Sequence, residues 1–180
     1  MKKIEKYSVN LAKGTKYTLT DKTSEVNAKL YIQAKDDLKI IYVDHALLDD
    51  KSKKKCDFMV VGINTNSTHM IELKGKNIEE AFSQISDTID EFVKDDELKG
   101  YVILKEILDA YIVSPDKQKI PNIHSLQEKE LAKKLLRGNK QKPKDMFQLI
   151  HFVKVIKMQK KVAKNGRQIL ISGNAPLELD

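Results

Sequence analysis

Between residues 24 and 36, SEVNAKLYIQAKD, the apolar positions Val26, Leu30 and Ala34 recur every four residues, and Ser24 stands where an N-cap would. That spacing predicts a helix. The next run, LKIIYVDHALL at 38–48, is dense in β-branched and aromatic residues and predicts a strand. CDFMVVGI (56–63) and THMIELK (68–74) predict two more, separated by the turn cluster NTNS at 64–67. The period then changes. Ile78, Ala81, Phe82, Ile85, Ile89, Phe92 and Val93 fall on one stripe of a helix at 77–93, with Asn77 as N-cap and Glu80 three residues on. Further along, DAYIVS (109–114) predicts a strand stopped by Pro115, 124–137 predicts a helix ended by Gly138, and 147–158 and 167–172 lean to strand. The order predicts an α/β or α+β domain, a mixed central sheet flanked by helices.

A chain of 180 residues suits one domain. Its motif-bearing core spans about 24–114 and a basic part spans about 115–180. No run approaches the roughly 18 apolar residues that a membrane span needs. Basic residues near the N-terminus are followed by no apolar run, so a cytoplasmic location without membrane association is expected. The one cysteine, Cys56, excludes an internal disulfide framework and a multi-cysteine zinc site, and reads as a small buried residue.

The net charge of +7 points to a polyanionic partner such as nucleic acid. The charge is uneven. Residues 79–97 are acidic, whereas 133–167 carry twelve Lys and Arg against the single acid Asp145. From that cluster Lys133, Lys134, Arg137, Lys140, Lys157, Lys160 and Lys161 are the expected phosphate contacts.

The two strands around 64–67 predict an antiparallel hairpin. Pairing about that turn would set Asp57 opposite Lys74 and Met59 opposite Glu72. Asp57 and Glu72 would then be diagonal neighbours on one face, at roughly 7–8 Å. Lys74, two residues beyond Glu72, points the same way, while Ile71 and Leu73 face a core. Hard carboxylate oxygens suit Mg²⁺, which keeps waters and accepts a phosphate oxygen as ligand. A lysine beside them can orient the attacking water and offset developing charge. The histidines His45, His69, His124 and His151 show no paired ligand spacing.

The run KKCDFMVV…HMIELKGKNIEEAFSQI resembles the core of the PD-(D/E)xK nuclease superfamily. Cys56 stands where the family's name has proline. The resemblance implies a restriction-endonuclease-like fold and an endonuclease that cleaves DNA in preference to RNA. It implies catalysis by Asp57, Glu72 and Lys74, with Gln84 on the following helix organising the site. It also implies metal ligation by Asp57, Glu72 and the backbone carbonyl of Leu73, with Mg²⁺ as cofactor and Mn²⁺ able to substitute. Glu25 corresponds to an acid that some members use. Cutting both strands of a duplex with one site per chain implies a homodimer. Two other readings stay open: a non-catalytic nucleic-acid-binding protein with this fold, and an interaction subunit whose acidic helix 77–93 docks a basic partner.

Overall fold

A computed structural model describes residues 3–20, 28–44, 46–48, 55–74, 77–115, 125–142, 152–158, 164–165 and 168–180. After a single helical turn, α1 (Lys3–Lys6), come β1 (Ser8–Leu11), β2 (Lys16–Thr20), β3 (Lys29–Ala34) and β4 (Leu38–Tyr42). β5 (Phe58–Gly62) and β6 (Ser67–Leu73) follow, then α2 (Ile78–Lys94), β7 (Ile107–Pro115), α3 (Leu126–Gly138) and β8 (Val153–Met158). β9 (Lys164–Asn165), β10 (Gln168–Ile171) and β11 (Leu177–Leu179) complete the described chain. The architecture is α+β around a mixed sheet in the order β1-β4-β5-β6-β7-β8-β10-β9. β4, β5 and β6 run as an antiparallel meander; β7 and then β8 join parallel to β6, with α2 and α3 as the crossovers. No helix among the described residues is long and apolar enough to cross a membrane.

The central sheet is covered on both sides. Met59, Val61, Met70 and Ile112 pack with the α2 stripe and with Leu131 and Leu135 of α3. Phe58, Val60, Ile71, Leu73 and Val113 pack on the other side against Leu19, Leu30 and Ile32. That second cover is a small sheet, β11-β3-β2, which the sequence pattern did not predict. It corrects the helix expected at 24–36, because residues 29–34 are extended. Leu30, Ile32 and Ala34 are buried at alternate positions, so the four-residue recurrence of Leu30 and Ala34 was a strand period of two sampled at every second residue. The start of that expected helix, with Glu25, lies outside the described residues.

The helix after β6 forms as its pattern predicts. Asn77 caps it, accepting from the Glu80 amide at 3.1 Å. Val93, assigned to the buried stripe, is instead 46% exposed. The strand expected at 38–48 ends at Tyr42, where the chain turns so that the Leu47 amide reaches back to the Tyr42 carbonyl at 3.3 Å. α3 packs its end close to the sheet: a Cβ at Gly138 would collide with the Leu108 side chain and the Val102 carbonyl.

Hairpin register is the second correction. Phe58 pairs with Ile71 and Val61 with Thr68, so the connection is 63–66 and Asp57 falls opposite Glu72, not Lys74. The cause lies outside the hairpin. Asp36 accepts from the Asn64 amide at 2.8 Å, the Asn64 side chain at 2.7 Å and the Thr65 amide at 3.2 Å. Asn66 takes the left-handed conformation, φ 54°, that closes the loop one residue early. The shift amounts to one residue on each strand, and side-chain faces survive it because the strand period is two.

Candidate metal and catalytic site

Asp57 is the residue before β5 and Glu72 the second-last of β6, so the two acids meet at one end of the sheet. Alternation puts them on the α2 side, with Met59 and Met70. They are directly opposed and tied to each other's backbone: the Asp57 amide donates to Glu72 Oε2 at 3.2 Å, and the Leu73 amide donates to Asp57 Oδ2 at 2.7 Å. A strand residue turns its N–H and C=O to the same edge. The Leu73 carbonyl is therefore directed toward the Asp57 side.

Glu72 is only 2% exposed. Burial, then the neighbouring Asp57 charge, pushes its carboxyl well above the usual carboxylate range, while Lys74 and the Asp57 amide pull the other way. Asp44, just past β4, adds a smaller upward push. Lys74 leaves the end of β6 and reaches three acceptors: Gln84 Oε1 at 2.5 Å, Glu80 Oε2 at 3.0 Å and Glu72 Oε1 at 3.9 Å. Gln84 in turn donates through Nε2 to the Lys55 carbonyl at 3.1 Å. The structure thus brings Asp57, Glu72, Leu73, Lys74 and Gln84 together.

Glu80, Thr88 and Asp44 were missed. Glu80 and Thr88 flank Gln84 at four-residue spacing, a signal visible in the sequence once Gln84 is chosen. Asp44 had none, because its approach depends on how β4 pairs with β5. The Cys56 thiol is buried and raised, by burial first and the Glu72 charge next, which opposes a nucleophilic role.

Two carboxylates and a backbone carbonyl suit Mg²⁺, which is held by one or two protein carboxylates and keeps several waters. The Glu72 carboxyl is raised by burial first and by the Asp57 charge second, and a bound cation would offset both. Among the described residues no group of three or more His, Cys, Asp or Glu side chains has metal-binding geometry.

The expected phosphate contacts divide. Lys133 and Arg137 on α3 are exposed. Lys134 is held by Asp90 of α2 at 2.6 Å, and Lys140 pairs with Glu106 at 2.5 Å. The end of α3 sits at the start of β7, where Asn139 bonds both backbone groups of Leu108. Lys74 instead bonds the Val113 carbonyl near the end of β7, roughly 16 Å along the strand at about 3.3 Å per residue. Lys157 is in register with Ser114, the residue after Val113, and so lies at the acid pair's end of the sheet. Lys160 and Lys161 lie outside the described residues.

A second polar cluster occupies the opposite face of the sheet. His69 Nδ1 donates to Asp109 at 2.6 Å and Nε2 to the Asp180 main-chain oxygen at 3.0 Å. Tyr111 and Lys154 also donate to Asp109, at 3.1 and 2.5 Å. Both partners of the imidazole are acceptors, so both ring nitrogens carry protons and His69 is a buried cation. Every polar atom of this cluster is engaged, and it reads as an internal tie holding β6, β7, β8 and the 180 end together.

Compared with known proteins, the chain matches no family model, no curated protein and no solved structure.

Proposed function

We propose that this protein is a metal-dependent phosphodiesterase acting on nucleic acid, an endonuclease with DNA preferred over RNA, on a restriction-endonuclease-like core. The observation that carries the reading is the pairing of Asp57 with Glu72 across β5 and β6, with Lys74 at the end of the same strand and Gln84 bridging from α2. The order β4, β5, β6 and then α2 supports it, since the resemblance puts the Asp and the Glu-x-Lys on successive core strands with a helix following.

Asp57, Glu72 and the Leu73 carbonyl would hold Mg²⁺ or Mn²⁺. When bound, the cation supplies charge neutralisation at the scissile phosphate and a more acidic water. The chain's own contribution is position. Lys74, fixed by Gln84, places one ammonium beside the acid pair, where it orients the attacking water and offsets charge on the phosphoryl oxygens. In the reaction the water oxygen bonds to phosphorus and gives up a proton to solvent, the bond from phosphorus to the leaving sugar oxygen breaks, and that oxygen takes up a proton from solvent. Exposed Lys133 and Arg137, with Lys157 at the acid pair's end, would supply phosphate contacts. A two-fold homodimer would supply the second site needed for double-strand cleavage.

The test is incubation of the purified protein with plasmid, single-stranded DNA and RNA, with Mg²⁺ and with EDTA. Nicking or linearisation only with the metal, lost in Asp57→Ala and Glu72→Ala, is expected. Metal-independent cleavage, or wild-type rates in either variant, would overturn the assignment. A gel shift in Ca²⁺ without any cleavage in Mg²⁺ would favour a non-catalytic nucleic-acid binder.

A further inference from the structure

Asp57 lies one residue outside β5 and Lys74 one residue outside β6. Their backbones are still held, the Asp57 carbonyl by the Val43 amide at 3.0 Å and the Lys74 amide by the Val113 carbonyl at 2.7 Å, but nothing in that pairing fixes the Lys74 side chain or the approach to Asp57 from residues 55 and 56. One face of α2 holds them. Glu80, Gln84 and Thr88 are spaced by four residues and line a single edge of the helix, each about 6 Å from the next along the axis. Glu80 meets the Lys74 ammonium at 3.0 Å. Gln84 meets that ammonium and, with its other amide atom, the Lys55 carbonyl. Thr88 is fully buried; its Oγ1 accepts from the Cys56 amide at 2.9 Å and donates to the Gln84 carbonyl at 2.8 Å. The stripe thus grips the backbone at Lys55 and Cys56, immediately before Asp57, and the Lys74 side chain, two residues after Glu72. A helix is stiff over two turns, so α2 adds to the hairpin a second constraint, one that spans from the segment before Asp57 to the Lys74 ammonium.

We infer that Thr88 and Glu80 are positioning residues of the proposed site, Thr88 acting on Asp57 through the Cys56 amide and Glu80 acting on Lys74. The inference rests on the proposed nuclease reading. It predicts a division of labour: Thr88 governs the acid pair, and hence metal affinity, whereas Glu80 governs the lysine and leaves metal affinity alone.

The experiment compares wild type with Thr88→Val, Thr88→Ser and Glu80→Gln. It uses Mn²⁺ calorimetry in the absence of nucleic acid, and kcat and KM for plasmid nicking. Thr88→Val keeps the volume and loses the acceptor, so Mn²⁺ affinity and kcat should each fall about tenfold or more with KM unchanged. Thr88→Ser should restore both, a rescue that a packing role would not show. Glu80→Gln should lower kcat with wild-type Mn²⁺ affinity.

A folded Thr88→Val with wild-type metal affinity, or a Thr88→Ser variant no better than it, overturns the Thr88 assignment; wild-type kcat in Glu80→Gln overturns that of Glu80. If valine at 88 prevents folding, Thr88→Ser decides for this residue, and a tenfold loss there despite the retained hydroxyl counts against it. A wild-type protein that binds Mn²⁺ but cleaves nothing would sink the nuclease reading while leaving the metal-affinity comparison decisive for Thr88.

Discussion

Glu72 is where chemistry and stability pull apart. Its folded-state carboxyl prefers the proton more strongly than an unfolded glutamate does. Its contribution to stability is therefore full below the unfolded value of about 4.3 and is lost as pH rises through the raised folded value. Replacing it by glutamine removes that liability. Glu72→Gln should abolish cleavage yet raise stability in EDTA at pH 8 by about 1 kcal/mol, about 2–4 °C in melting temperature. Mg²⁺ should raise the wild-type melting temperature and leave the variant's unchanged. A variant that melts lower than wild type in EDTA would mean that the acid pair is not under electrostatic strain. His69 makes the complementary case. Burial alone would lower its pKa, but the Asp109 charge and its bond, with the Asp180 oxygen, outweigh that and raise it. Stability from this cation is complete below about 6.5 and is lost as pH climbs through the raised value. Thermal melts from pH 6 to 9 should fall in wild type and stay flatter in His69→Gln. Asp109, whose carboxyl is brought down to about 2, keeps its contribution until strongly acidic pH.

At the scale of the element, α2 matters twice, once through its apolar stripe and once through its polar one. Its first turn carries Glu80, and Asn77 holds that turn by accepting from the Glu80 amide. Asn77→Ala should cost about 1 kcal/mol, read as a lower urea midpoint, and should reduce cleavage beyond what the lost stability explains. Wild-type activity well below the urea transition would show that fraying of the first turn does not reach Lys74. The hairpin shows how little of an element is self-contained. Its strands, its faces and the presence of a turn were legible in 56–74, because alternation and turn residues are local signals. Its register was not, because Asp36, more than twenty residues upstream, binds the loop amides and shifts the turn by one residue.

For the whole molecule, charge in the sequence and charge available on the surface differ. Lys134, half-buried, pairs with Asp90, and Lys140 pairs with Glu106 on the surface, whereas Lys133 and Arg137 are exposed on α3. Neutralising Lys133 and Arg137 together should flatten the salt dependence of DNA binding, by about one unit of slope for each phosphate that no longer meets a cation. Lys134→Ala should lower stability, by breaking its tie from α3 to Asp90 of α2, with less effect on the slope. Equal effects on the slope would mean that the Asp90 pair opens on binding.

The sequence by itself determined the α2 and α3 helices, the strands of the hairpin, and the common face of Asp57, Glu72 and Lys74; Gln84 was added by the family resemblance. The helices and strands are legible because their signals lie between residues close along the chain. Tertiary structure alone decided that Leu30, Ile32 and Ala34 belong to a strand, since an apolar residue at every fourth position fits either period and only the partners β2 and β11 choose between them. It alone set Asp57 against Glu72, brought Asp44 near, and decided that Lys134 and Lys140 pair with acids. Those outcomes depend on contacts between residues tens of positions apart, where the energy lies in burial and charge pairing that a local pattern does not record.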